Sequence, residues 1–478
     1  MFVNNQLKNQ HLLWRAAFGP MAENANELKD FSQKELYNLL VKTSSKKPEN
    51  INVAENLFDG LVKGVQDVVK MENLSKEEKQ MIRKQSRDDL KSLNLKWLNQ
   101  MINSEAQLRE KISLFWHGHF ACRVINIYFQ QQLLEIIRTN ALGNFGDMLR
   151  EVSKSPAMIS FLNNQQNKKQ HPNENFAREV MELFTMGRGN YSENDIKEAA
   201  RAFTGWGFNV KGEFVNRPFQ HDTGNKTFLG KTGNFDGDDV IDILLEQQQT
   251  AKYITSKIYR YFINEKPDSD KVDMLAGRFY QSGYDIKKLL EDIYTSEWFY
   301  DSKNIGKKIK SPIELLVGIR RLLPMKFENE EAQLLFQRTL GQILFYPPNV
   351  AGWPGGKNWI DSSSLMLRLS IPHVLTNTNE FSVKPKDDDD TLMGMQSAEI
   401  ARAKSRQVYT TVDWTSVIKV FESVPRESLV DHITNVVLQT QSRVSKNIVE
   451  KYIDKEAREK YIQKTIVELM STPEYQLC

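Results

Sequence analysis

The sequence predicts a mainly α-helical protein: a multi-helical globular body with one small β-hairpin region and a small C-terminal helical unit. Three observations carry that expectation. Apolar residues recur at helical spacing over most of the chain, serine-led capping boxes mark several starts, and a single stretch, Trp206 to Phe235, reads as strand and turn. With 478 residues and 40% hydrophobic composition, the chain can bury a sizeable core.

The elements follow in order. Residues 1–375 read as the main helical domain, and residues 43–90 within it as a strongly charged helical excursion over the core. "NSEAQLREKISLFW" offers Ser104 as N-cap with Gln107 three residues on, which predicts a helix over residues 105–123. "HPNENFAREVMELFTMG" puts Phe176, Ala177, Val180, Met181, Leu183 and Phe184 on one side. Glu174, Asn175, Arg178, Glu179, Glu182 and Thr185 share the opposite arc, and Gly187 is a natural helix stop. "YSENDIKEAARAFTGW" pairs Ser192 with Asp195 ahead of Ile196, Ala199, Ala200 and Phe203.

"FNVKGEFVN" reads as two short strands around Lys211 and Gly212, opening the hairpin and loop of residues 206–235. "SPIELLVGIRRLL" combines Ser311 as N-cap, Pro312 at the first helical position and Glu314 to close a capping box. Residues 376–412, with Asp387 to Asp390, read as a linker, although four aspartates also suit calcium; residues 413–478 read as a C-terminal helical subdomain. "IKKLLEDIYTSEWF" from Ile286 and "IQKTIVELMSTPEYQL" from Ile462 share a helix with a small-polar, acidic, aromatic ending.

Composition narrows the function. Lysine and arginine number 64 against 61 acidic residues, so the net charge of +3 gives no argument for nucleic acid or an anionic membrane. Two cysteines, Cys122 and Cys478, make neither a disulfide framework nor a cysteine zinc cage, and Cys122 reads as a small core residue. No apolar run is long enough for a transmembrane segment, and "MFVNNQLKNQHLLWRAAFGP" lacks a signal peptide's apolar region. The expected compartment is the cytoplasm, or the periplasm or exterior if a leader has been removed.

Four stretches could carry chemistry. In "FWHGHFACR", a continuous helix turns His117 and His119 about 200° apart, so they cannot chelate one ion together. His119 then lies among Leu108, Ile112, Phe115 and Cys122 as a core histidine, while His117, near Glu110 and Ser113, is the better reagent. An extended segment at Gly118 would instead aim both rings the same way. On the helix of residues 174–185, the polar arc is either a solvated stripe or a cleft wall, where Glu179 and Glu182 would ligate a hard metal or share a proton.

In "FQHDTGNKTFLGKTG", His221 and Asp222 suit a metal or acid–base chemistry beside Lys226; the alternative is a turn in which Asp222 caps backbone amides. "LFYPPNVAGWPGGKNWIDSSSLMLR" presents Trp353 and Trp359 on a stiffened loop, either to stack on a ring or to anchor the loop in the core. Trp206, in "ARAFTGW", is a further candidate binding residue. No G-x-S-x-G nucleophile motif is present.

At these stretches the chain resembles the large bacterial proteins grouped as the domain-of-unknown-function-1800 family. The resemblance rests on "HLLWRAAFGP", "FWHGHF", "NENFAREVMELFTMG", "ARAFTGW", "HDTGNKTFLG", "PPNVAGWPGGKNWI" and "STPEYQL", in order from His11 almost to the C-terminus. It carries no catalytic assignment. It implies that His117, His119, Glu174, Asn175, Arg178, Glu179, Glu182, His221, Asp222, Lys226, Trp353 and Trp359 are shared positions. A plain solvent stripe would not recur in that way, so the resemblance favours a functional polar face. It further implies export for many relatives and a sulfatase-like partner; this chain departs from that pattern in lacking a leader.

Two readings follow. In the first, a metal-assisted hydrolase acts on a carbohydrate-like or ester, envelope-associated substrate. His117 would act as acid–base group or ligand of a divalent metal, Glu179 and Glu182 as metal ligands or general base, and His221 and Asp222 would close the metal site from the loop. Arg178 or Lys226 would stabilise negative charge, with Glu174 and Asn175 on the same cleft wall. In the second, the protein is a non-catalytic scaffold, or binds a glycan or partner, with a structural ion network and the Trp353 loop as docking element.

Overall fold

The computed structural model describes residues 3–54, 75–209, 211–377, 408–443 and 457–478. The helices begin with α1 (Asn5–Ala16), α2 (Gln33–Thr43), α3 (Lys76–Asn103), α4 (Gln107–His119), α5 (Ile127–Asn140), α6 (Phe145–Lys154) and α7 (Pro156–Phe161). Helix α8 (Asn175–Glu179) continues as a π-helical stretch over Val180–Thr185. Helix α9 (Glu193–Ala202) precedes two hairpins, β1 (Trp206–Phe208) with β2 (Phe214–Asn216) and β3 (Lys226–Phe228) with β4 (Lys231–Gly233).

Then come α10 (Gly237–Leu245), α11 (Gln248–Phe262), α12 (Ser269–Gln281), α13 (Ile286–Tyr294), α14 (Pro312–Leu322), α15 (Ala332–Thr339) and α16 (Ser362–Asn377). Helices α17 (Thr415–Val420), α18 (Leu429–Val437) and α19 (Arg458–Met470) complete the set. Strand β5 (Met325–Phe327) pairs antiparallel with β6 (Thr410–Val412). The fold is thus mainly α, and the single hairpin region expected from the sequence is joined by this non-local pair, whose partners lie too far apart in sequence for a turn signal to link them.

The capping boxes at Ser192–Asp195 and Ser311–Glu314 form as the sequence predicts. The one at Ser104 does not. Helix α4 begins at Gln107, whose side-chain amide donates to the Met101 and Ser104 carbonyls, while the Ser104 hydroxyl accepts from Ala106 N–H; these residues make a corner between α3 and α4. Helix α4 also ends at His119 rather than residue 123, and every residue in it except Gly118 is buried. A helix enclosed on all sides has no solvent face, so its polar residues must find partners inside the protein. Glu110, for example, accepts from Trp97 and pairs with Arg138 at 2.7 Å.

One hydrophobic core gathers α1, α2 and α4 to α13, and a second gathers α14 to α19 with Ala22 and Ala25. A third cluster draws on Trp97 of α3, Leu114 of α4, Val317 of α14 and Phe345 of the loop after α15. The two segments with similar endings fold alike: α13 is followed by a 3-10 turn at Glu297–Tyr300, and α19 by one at Pro473–Gln476. Both turns pack on α1, with His11 4.6 Å from Phe299 and Trp14 6.4 Å from Tyr475 between ring centroids. No described helix is long and apolar enough to cross a membrane. The middle of the 43–90 excursion and most of the 376–412 linker, including Asp387 to Asp390, lie outside the described residues.

Candidate functional site

The last turn of α4, the second half of α11, the start of α14 and the loop of residues 342–359 enclose a cleft of about 500 Å³. That volume falls in the range of small-molecule sites. The loop is held on α4 by backbone contact. Gly352 (φ +81°) sits so close to the Gly118 carbonyl that any Cβ there would collide with it. Phe345 N–H donates to His117 Nε2 at 3.1 Å, and the Trp353 ring lies 5.5 Å from the His117 ring.

Both histidines of "FWHGHF" are buried, so His117 departs from the sequence expectation and His119 follows it. His117, expected as the reagent, is buried against Trp97, Phe345 and Trp353, and burial lowers its pKa to about 3. His119 is the core histidine the sequence predicts, packed among Phe115, Trp116, Phe120 and Phe184, and it also borders the cleft beside Gly118. Its Nε2 lies 3.2 Å from the Phe184 carbonyl, within the π-helical stretch. A carbonyl only accepts, so the proton sits on Nε2 and Nδ1 carries a lone pair with no hydrogen-bond partner among the described residues. Burial, reinforced by nearby Lys257, holds the ring well below the ordinary histidine pKa.

Helix α11 supplies the facing wall with Lys257, Arg260 and Tyr261. Lys257 is half-buried, has no hydrogen bond or ion pair among the described residues, and sits 5.4 Å from the Tyr253 ring. Burial alone pushes its ammonium down to about 8. The Tyr261 hydroxyl is likewise buried without a partner among the described residues, as is Oε1 of Glu265, which lies against Gly356.

At the cleft floor, Glu314 closes its capping box and also accepts from Lys111 and from Lys308, the latter at 2.5 Å. Burial drives this carboxyl up, but Lys111 and Lys308 outweigh it and hold Glu314 well below the usual carboxylate range. Lys308 also caps the face of Tyr261 at 4.3 Å. The lining thus carries four cationic side chains, Lys257, Arg260, Lys308 and Lys357, against two acidic ones, Glu265 and Glu314. Trp353 and Trp359 complete it, and Trp359 is only 8% exposed, so these tryptophans both anchor the loop and face the cleft.

The other residues singled out from the sequence lie in separate settings. Arg178 bridges Glu174 at 3.4 Å and Glu193 at 2.8 Å, and Glu182 accepts from Arg188 and from the Tyr191 hydroxyl. Glu179 is half-buried, its carboxyl raised by burial and then by Glu182. Asn175 donates to the Leu162 carbonyl. The π-helical stretch breaks the wheel assumed for residues 174–185, because the Met186 N–H reaches back five residues to Met181.

Asp222 pairs with Arg201 at 2.7 Å and caps Gly224 N–H, and His221 Nδ1 lies 2.9 Å from the Thr204 carbonyl. Lys226 is buried with its ammonium on the Asp222 and Gly224 carbonyls. Trp206 is buried against Phe203 and Phe214. The proposed ligand set of His117, Glu179, Glu182, His221 and Asp222 is not brought to one point. Among the described residues no three His, Cys, Asp or Glu side chains gather to hold a metal ion.

Sequence reasoning missed Lys257, Arg260, Tyr261, Glu265 and Lys308. One signal was available: in "ITSKIYRYF" Lys257 falls three residues after buried Ile254 and four before Tyr261, in the register of a packed helix face.

No curated protein and no solved structure gives a significant match to this chain. A family model described as a protein of unknown function (DUF1800) matches residues 11–477. The chain belongs to the DUF1800 family.

Proposed function

We propose that the cleft between α4, α11 and the 342–359 loop binds an acidic, ring-bearing, polyhydroxylated small molecule of the sugar-acid kind. The observation that carries this reading is Lys257, a half-buried ammonium with no counter-ion among the described residues in a cleft already rich in positive charge. An unpaired charge at low dielectric is costly, and a ligand carboxylate or phosphate would relieve that cost. Trp353 and Trp359 suit the apolar face of a ring, while His119 Nδ1 and Glu265 Oε1 would accept from ring hydroxyls.

The metal-assisted hydrolase reading has less support, since its ligand set stays dispersed and His117 already spends Nε2 on the Phe345 N–H. The glycan-binding reading keeps the Trp353 loop as its element. Tryptophan fluorescence titration tests the proposal. Methyl glucuronoside should quench saturably, neutral methyl glucoside should bind at least about tenfold more weakly, and Trp353→Ala should remove most of the signal change. Equal binding of both sugars, or of neither, would refute it.

A further inference from the structure

The cleft lining contains groups that binding alone does not require. Lys308, the other lysine shielded in its wall, is committed to Glu314, whereas Lys257 pairs with no carboxylate among the described residues. The groups facing Lys257 are His119 from α4 and, on its own helix, Tyr253 and Arg260. His119 offers a lone pair with a fixed tautomer, because its other nitrogen is committed to the Phe184 carbonyl. Arg260, one turn along α11, gives an acid group a place to rest while the amine is engaged.

We propose that Lys257 is a reactive amine that condenses with the carbonyl of an anionic aldehyde or ketone, such as an open-chain sugar acid, bound in this cleft. The inference rests on the anion-binding reading above and names its chemistry. The neutral Nζ lone pair adds to the carbonyl carbon and the carbonyl π pair moves to oxygen; a proton passes from nitrogen to that oxygen, giving a carbinolamine. Loss of the hydroxyl as water, with the second nitrogen proton, forms the C=N bond, so amine and carbonyl yield imine and water with no redox partner. His119 Nδ1, unpartnered among the described residues, would accept an N–H of the amine as the carbinolamine forms. Burial keeps a sizeable neutral fraction of Lys257 near pH 8, where an ordinary lysine has almost none.

The test uses the full chain with glyoxylate as the anionic aldehyde and cyanoborohydride as trap at pH 8, followed by peptide mass spectrometry of carboxymethylated lysines. Lys257 should be modified about tenfold faster than Lys357, the exposed lysine on the same cleft, since burial leaves Lys257 with a sizeable free-amine fraction at this pH. Modification of Lys257 at or below the rate of Lys357 overturns the inference. His119→Asn should slow labelling of Lys257 while leaving Lys357 unchanged; equal rates at Lys257 in both proteins would overturn the role given to His119. Methyl glucuronoside has no free carbonyl, so its binding reports on the anion-binding reading alone. Saturable binding without labelling would retire the amine chemistry and leave the cleft reading standing, whereas absence of both would remove both.

Discussion

The imidazole of His117 accepts the Phe345 backbone N–H at 3.1 Å while its ring packs 5.1 Å from Trp97 and 5.5 Å from Trp353. One side chain thus fixes the α4 end to the loop that roofs the cleft. Truncating it removes an acceptor for a buried amide and opens a void. His117→Ala should cost about 2–4 kcal/mol in urea unfolding. A loss under about 0.5 kcal/mol, within the scatter of ordinary surface changes, would mean the anchor is dispensable.

Acid should destabilise the protein earlier than carboxylate chemistry alone would. His11, His117 and His119 all have pKa values lowered first of all by burial, with His117 at about 3. The unfolded chain therefore binds protons that the folded chain refuses once pH drops below about 6.5, and stability is lost as pH falls from there. Three such groups give a slope approaching about 4 kcal/mol per pH unit. Urea midpoints at pH 7 and pH 5 check this, and equal midpoints would contradict it.

Glu314 is the counter-ion for Lys111 and Lys308, and all three are buried. Glu314→Gln keeps the shape but leaves two ammonium groups facing each other. The expected loss is about 3–5 kcal/mol, read by chemical denaturation. A near-neutral effect would show that solvent reaches the pair.

Lys257 should behave in the opposite sense. Its folded pKa of about 8 lies below the ordinary lysine value, so the folded state carries a penalty at pH 7 that fades as pH rises from about 8 and is gone above about 10.4. Lys257→Met should raise stability at pH 7 by about 1–3 kcal/mol while weakening methyl glucuronoside binding, a trade of function against stability. A destabilised variant would place Lys257 among the structural residues.

Much of the fold was legible in the sequence because capping boxes and helical spacing are local signals. Ser192 with Asp195 and Ser311 with Glu314 set their helix starts where the pattern puts them. Helix α4 was misread because a wheel assigns faces only where one side meets solvent, and this helix meets none. The polar arc of α8 looked like a site because Glu174, Arg178 and Glu182 are close in sequence, yet their partners Glu193, Arg188 and Tyr191 lie beyond the helix. The cleft was hidden for the complementary reason. Its lining comes from four separate stretches, and the pairing of Lys111 with Glu314 on its floor exists only once α4 and α14 meet.

The most direct measurement of the central claim is the affinity of methyl glucuronoside across pH 7 to 9 by calorimetry, for the wild type and for Lys257→Arg. Over that range His119 stays neutral and the Tyr253 and Tyr261 hydroxyls stay protonated, while Lys257 loses its charge around pH 8. Wild-type affinity should fall about tenfold from pH 7 to 9, and the arginine variant, charged throughout, should stay level. Level affinity in both proteins, or binding of methyl glucoside as tight as that of the acid, would contradict the account.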